Sequence, residues 1–350
     1  MSLPARRVVA GRRWVIPALL LALLATAIFS LCSGAMHLGA SDVFGALLRR
    51  LTGHPMQGAD AVVLTLRLPR VLMATLAGGA LACSGAVMQG MFRNPLVEPG
   101  LMGVSAGSAL GAIGMIVLGG RWFGSMVSLG GSFATAIAAF GGGLLTTVLV
   151  YVLGRRRGGV ASLLLAGVAM NAIAMAGIGI LTYMADELQL RALSFWTLGS
   201  LGGTGWLQLG AVAPWIALAL VCLPRYAPAL NAMLLGEREA ALLGYAPERL
   251  QRVLIAWTAL ATGSAVAMCG VIGFIGLLVP HLVRLVWGPD HRLLIPASTI
   301  GGAILLTWAD TAARTVVAPA ELPVGVITAL LGGPFFLWLL MRTRASGAGA

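Results

Sequence analysis

Gly103-Val104-Ser105-Ala106-Gly107 has the spacing of a serine-hydrolase elbow, in which the nucleophile stands on a tight turn between a strand and a helix. His281 is the histidine such a serine would need, so an intramembrane serine protease is the enzymatic alternative. Against it, Ser105 lies in a glycine-rich run of helical character, where this spacing arises by chance. His281 could also ligate a haem or metal, but behind Pro280 and one turn before Arg284 a structural role suits it better. All 23 basic residues are arginine. Without lysine no Gly-rich loop ending in Gly-Lys-Ser/Thr can cradle a nucleotide phosphate, so the chain is expected not to be an ATPase. Cys32, Cys83, Cys222 and Cys269 show no metal-binding spacing and read as small packing residues.

The other chemically able stretch is a charged island. Glu237, Arg238, Glu239, Glu248, Arg249 and Arg252 crowd a segment whose turns are marked by Gly236, Gly244 and Pro247. Only 10% of the chain is charged, so two-signed charge gathered in one place reads as a handle for a partner in water. Ala240, Ala241, Leu242 and Leu243 can give that handle a short apolar face suited to a partner's groove. Glu237 and Glu239 would favour the N-terminus of a helix there.

The elements that must position these residues are membrane helices. The composition is 59% hydrophobic with a mean hydropathy of +0.95, and a spanning helix needs about 20 mostly apolar residues. Ten runs qualify, at 14–34, 62–82, 98–118, 125–153, 160–184, 205–223, 252–270, 271–287, 296–314 and 323–341. The 48 glycines suit helices that pack closely where lipid provides no hydrophobic drive between them. The chain therefore reads as an all-α integral membrane protein with one domain over 1–350 and two inverted, weakly similar halves. With the N-terminus inside, all the arginines but Arg49, Arg50, Arg67, Arg70, Arg121, Arg191 and Arg314 fall on cytoplasmic segments, the Arg155–Arg157 run among them. That is the positive-inside pattern. The net charge of +12 thus encodes topology rather than nucleic-acid binding. Pro95 and Pro99 break the chain around Glu98, and polar backbone exposed there must be buried in protein or line an aqueous path if it lies within the membrane. An ordinary cytoplasmic loop is the other reading.

Five motifs in order carry a resemblance. Arg67-Leu-Pro-Arg70, Ser84-Gly-Ala-Val-Met-Gln89, Asn94-Pro-Leu-Val-Glu-Pro-Gly100, Gly273-Phe-Ile-Gly-Leu-Leu-Val-Pro-His281 and Glu321-Leu-Pro-Val-Gly325 together resemble the iron-siderophore, haem and cobalamin permease family. These are the membrane subunits of type II ABC importers. The resemblance runs from about Arg13 to Arg344 and implies a homodimer in the bacterial inner membrane, with both termini cytoplasmic. It further implies two ATPase subunits that use ATP and Mg, a periplasmic binding protein, and no cofactor held by this chain.

The same resemblance assigns residues. Segment 236–252 looks like the coupling segment, with Gly236, Glu237, Arg238, Glu239, Ala240, Leu243 and Gly244 facing the ATPase. Arg67, Arg70 and Arg314 match positions that dock the binding protein, as forked anion receptors with long-range steering. Asn94 and Leu96 match one cytoplasmic gate, and Val160 and Ala161 another, where missing hydroxyls would leave closure to packing and dewetting. Asp310, four residues before Arg314, is expected to orient it. The segment from Leu181 to Gly203 looks most like the haem-importing branch, and Tyr183, Arg191, Phe195 and Trp196 suit a flat apolar ring bearing carboxylates. Ferric siderophores and cobalamin remain open. A secondary transporter driven by an ion gradient is the alternative of another class, though the several intramembrane acids that such coupling uses are missing.

Overall fold

Apolar sequence in lipid must satisfy its backbone within itself, which leaves helices as the way to cross here. The computed structural model describes residues 5–347 except 35, 37, 56, 57 and 156–159, so Arg156 and Arg157 lie outside the described residues. Among these residues there is no strand. The helices are α1 (Ala5–Cys32), α2 (Ala40–Thr52), α3 (Gly58–Ala61), α4 (Leu68–Met91), α5 (Val104–Phe123), α6 (Ser125–Arg155), α7 (Val160–Met184) and α8 (Glu187–Leu198). They continue as α9 (Trp206–Cys222), α10 (Ala227–Leu235), α11 (Glu237–Leu242), α12 (Pro247–Cys269), α13 (Ile275–Trp287), α14 (His291–Ala313) and α15 (Val324–Gly347). A π-helical turn, Val62–Arg67, leads into α4.

Seven of the described helical stretches are long and apolar enough to cross a membrane, and shorter apolar stretches lie in α5, α13 and α15. Each of the ten expected runs is thus carried by a helix, with corrections of boundary: α5 starts at Val104 rather than 98, α12 at Pro247 rather than 252 and α14 at His291 rather than 296, and two further joins differ in kind. The second run does not stop at 82, since α4 continues to Met91 and breaks at Arg93, whose φ is 51°. The join after 270 is not a simple turn. Gly270 has φ 69° and Phe274 φ 67°, and the non-helical backbone between them is held by Trp196, whose carbonyl accepts from Val271 N at 3.3 Å. That burial meets the rule for irregular backbone at membrane depth.

The core forms around α4, which is buried along nearly its whole length from Val71. Small residues let its neighbours approach backbone to backbone. A Cβ placed on Gly85 would lie 1.8 Å from the Gly276 carbonyl oxygen, and one on Gly78 would lie 2.3 Å from that of Gly302. Glycine thus sets the distance of α13 and α14 from α4, as expected for helix pairs in lipid.

Candidate functional site

One end of the bundle carries the charged island. Gly236 (φ 138°) opens α11, and a Cβ there would meet the Glu239 carboxylate at 2.0 Å. Glu237 and Glu239 occupy the first turn, where the helix dipole favours them. Glu237 Oε1 accepts from Gln251 Nε2 of α12 at 3.1 Å. Gly244 (φ 88°) closes the helix, its N–H reaching the Ala241 carbonyl at 3.0 Å. The expected apolar face divides in two. Ala240 is buried and seats α11 on the bundle, while Leu242 and Leu243 are 86% and 61% exposed. Leu235 is exposed beside them, and Arg238 projects into solvent.

The residues expected to form the gates sit at the same end. Arg155 at the close of α6 pairs with Glu248 at the start of α12 at 3.0 Å, and Val160 and Ala161 open α7 just beyond. The Asn94 side chain accepts from Leu96 N at 3.0 Å, a tight turn that leaves Leu96 exposed. The Pro95–Pro99 joint shares both characters read from its sequence. Arg93 and Pro95 are exposed in a loop, whereas Glu98, Pro99 and Gly100 line a cavity of about 400 Å³ with Ser105, Asn171 and Thr262.

At the opposite end the three arginines converge, but not as a free outward cluster. Arg67 donates to the carbonyls of Leu31 (2.7 Å), Cys32 (3.1 Å) and Met36. Arg314 donates to Ser33 O at 2.6 Å and Ser30 Oγ at 2.7 Å. Both are only 7% exposed. The last carbonyls of α1 have no partner within their own helix, and these two guanidiniums supply donors and positive charge where the dipole calls for both. Arg70 forks between Asp310 (2.9 Å) and Glu321 (3.0 Å). Asp310 does reach Arg314, at 3.5 Å, but Arg70 is its closer partner. That bridge between spans about 240 residues apart left no mark in local spacing.

A cavity of about 690 Å³ opens beside this cluster, lined by Phe195, Trp196, Ser200, Gln208 and Glu321. A second, of about 680 Å³, shares Gly202–Thr204, Gln208 and Glu321 with it and is walled by Arg67, Arg70 and Arg314. The expected entry residues therefore separate. Phe195 and Trp196 line the vestibule, whereas Tyr183, 93% exposed, and the exposed Arg191 stand outside its lining.

The hydrolase arrangement is not present. Ser105 lies in the first turn of α5, which no strand precedes, and its cavity does not include His281. The His281 ring packs instead against Phe335 and Phe336 of α15, with centroids 6.1 and 6.3 Å away.

Comparison with known proteins agrees with this arrangement. The model of the FecCD transport family matches residues 21–342. The hemin transport system permease protein HmuU of Yersinia pestis is 43% identical over 335 residues, covering 95% of this chain and 98% of that protein. The vitamin B12 import system permease protein BtuC of Salmonella typhi is 39% identical over 336 residues, 95% of each. A solved ABC transporter assigned to the metal-chelate type, in an inward-facing conformation, superposes with a TM-score of 0.82 at 30% identity, over 94% of this chain and 99% of that one. PsaBC from Streptococcus pneumoniae, at 16% identity and a TM-score of 0.56, shares the fold alone. The chain belongs to the FecCD transport family and is a membrane-spanning permease subunit of a type II ABC importer.

Proposed function

We propose that two copies of this chain form the membrane path of an importer that brings haem from the periplasm to the cytoplasm, with no cofactor of its own. Two ATPase subunits bind at the α11 end, a periplasmic binding protein docks at the arginine end, and both termini are cytoplasmic in the bacterial inner membrane. One observation carries the reading. The projecting α11, with exposed Leu242 and Leu243, and the vestibule beside Arg70 and Glu321 lie at opposite ends of one bundle. Energy enters at one end and cargo at the other. Asn94, Leu96, Val160 and Ala161 form the cytoplasmic closure between them. Closure by such residues works through dewetting, since Leu96 and Ala161 offer water no side-chain partner.

Vesicles holding this chain with its ATPase and binding protein test the class directly. Uptake should require ATP on the ATPase side and persist when a protonophore removes the proton gradient. Uptake that follows the gradient and ignores ATP would favour the secondary-transporter alternative.

The docking assignment takes a specific form. Arg67 and Arg314 are committed to α1, so they hold the surface in shape, and Arg70 with Glu321 is the part a partner meets. Association of the binding protein should slow as salt rises, because exposed charges are screened within about 10 Å at 0.1 M. Arg70→Gln should weaken docking several-fold while basal ATPase persists. Association that ignores both salt and Arg70→Gln would remove the docking role.

A further inference from the structure

Between the coupling segment and the gate lies a hydrogen-bonded joint that local sequence patterns do not reveal. Asn231 sits in the middle of α10, the helix that ends at Gly236 and hands the chain to α11. Its side-chain amide faces the start of α14. Asn231 Nδ2 donates to Asp290 Oδ1 at 2.8 Å. Asn231 Oδ1 accepts from His291 N at 2.9 Å and lies 2.9 Å from His291 Nδ1. Asp290 is at the same time the N-cap of α14, accepting from Arg292 N at 3.1 Å. One amide therefore meets the first orphan N–H of α14, that of His291, and braces the capping carboxylate that meets the next.

The joint extends to a third helix. His291 is 1% exposed, and its ring fills the space over Gly90, where an added Cβ would come within 2.2 Å of Nε2. Gly90 lies in the last turn of α4, and four residues later stands Asn94, the first gate residue. α10 is itself sunk into the core through Leu230 and Met233, both fully buried. A push on α11 thus meets a helix that is anchored by packing and tied by directional bonds to α14, with the imidazole as a spacer against α4.

We propose that Asn231 is a positioning residue that makes α10–α11, the start of α14 and the gate end of α4 move as one body. This rests on the reading of α11 as the coupling segment and deepens it, because it names the route from that segment to the gate. Packed interiors pass displacement on rather than absorbing it, and the amide bonds fix the angle between helices that apolar contacts alone would let slide.

The test uses the full assembly in proteoliposomes, with the four native cysteines replaced and nitroxide labels at Leu234→Cys, exposed near the end of α10, and at Arg93→Cys. In the otherwise wild-type protein the distance between labels in one subunit should stay constant when ATP binds, while label distances across the dimer change. In Asn231→Ala the intrasubunit distance should broaden or shift on ATP binding. Stimulation of ATPase by loaded binding protein should fall about tenfold, within the usual range of coupling between sites, with basal hydrolysis kept. Gly90→Ala, which displaces the His291 ring while leaving the Asn231 side chain and its bonds to Asp290 and the His291 N–H in place, should lower stimulation in the same direction. Asn231→Asp, which keeps the acceptor but sets a carboxylate beside Asp290, should remain uncoupled. A wild-type intrasubunit distance that changes with ATP overturns the inference even if no variant folds. So does an Asn231→Ala protein with full stimulation and an unmoved distance. Alanine at Glu237, Arg238 and Glu239 is the control. Should that variant stay fully stimulated, the coupling reading itself fails. Should it be uncoupled while Asn231→Ala is not, only the joint is lost.

Discussion

Proteoliposomes holding the assembled importer are expected to take up haem in an ATP-dependent manner, at least roughly tenfold faster than cobalamin. A tenfold preference asks for only about 1.4 kcal/mol. One hydrogen bond between a cation and a propionate contributes about 1.5–3 kcal/mol, and a ring face adds apolar contact. Phe195 and Trp196 line the vestibule, and Arg191 and Tyr183 are exposed outside its lining. Arg191→Ala should reduce haem uptake, and Phe195→Ala with Trp196→Ala should reduce it further. His281 is excluded as the iron ligand because both ring nitrogens are shielded from solvent, and a strong axial bond would retain cargo that must leave. His281→Phe should therefore leave the haem spectrum of the loaded complex unchanged. Cobalamin or siderophore uptake without haem uptake would overturn the substrate assignment and leave the importer class standing.

The parts of this molecule that were legible in sequence are those governed by local rules. Apolar run length located the helices that carry the ten expected runs, seven of the described stretches being long enough to cross a membrane, because a bilayer imposes a minimum length on a span. Gly236, Glu237 and Gly244 marked α11 because helix starts and stops have residue signatures. What stayed hidden depends on chain segments far apart. Nothing near Arg67 or Arg314 says that their donors reach the last carbonyls of α1 rather than the solvent, since both ends of that contact look ordinary by themselves. Read alone, the trio suggested an outward receptor, and the third dimension turned two of its members inward. Asn231 escaped for the same reason. An asparagine in a short helix is unremarkable until Asp290 and His291 arrive from 59 and 60 residues away. The continuation of α4 past residue 82 was obscured because Ser84, Gly85 and Gln89 lower its apparent hydrophobicity, although all three are buried.

Replacing Glu237, Arg238 and Glu239 together with alanine is expected to leave the chain inserted in the membrane yet abolish substrate-stimulated ATP hydrolysis. The insertion half follows from exposure, since all three side chains face solvent and surface substitutions away from packing usually stay within about 0.5 kcal/mol of neutral. One structural bond is lost, that of Gln251 to Glu237 at 3.1 Å, while Ala240 and the buried α10 still hold the segment in place. The functional half follows from the small size of α11. With six residues it offers a partner little beyond Leu242, Leu243 and its charged rim. In a contact that small, the charges set the register and block sliding. Removing them leaves two leucines that can sit in a groove in several ways, so a stroke of the ATPase no longer has a fixed point to push. Basal hydrolysis, which belongs to the partner, should continue. The Leu242→Ala and Leu243→Ala pair should instead weaken assembly itself, seen as loss of the ATPase on purification in detergent. If the charge-free variant is stimulated and transports like the wild type, α11 is not the lever.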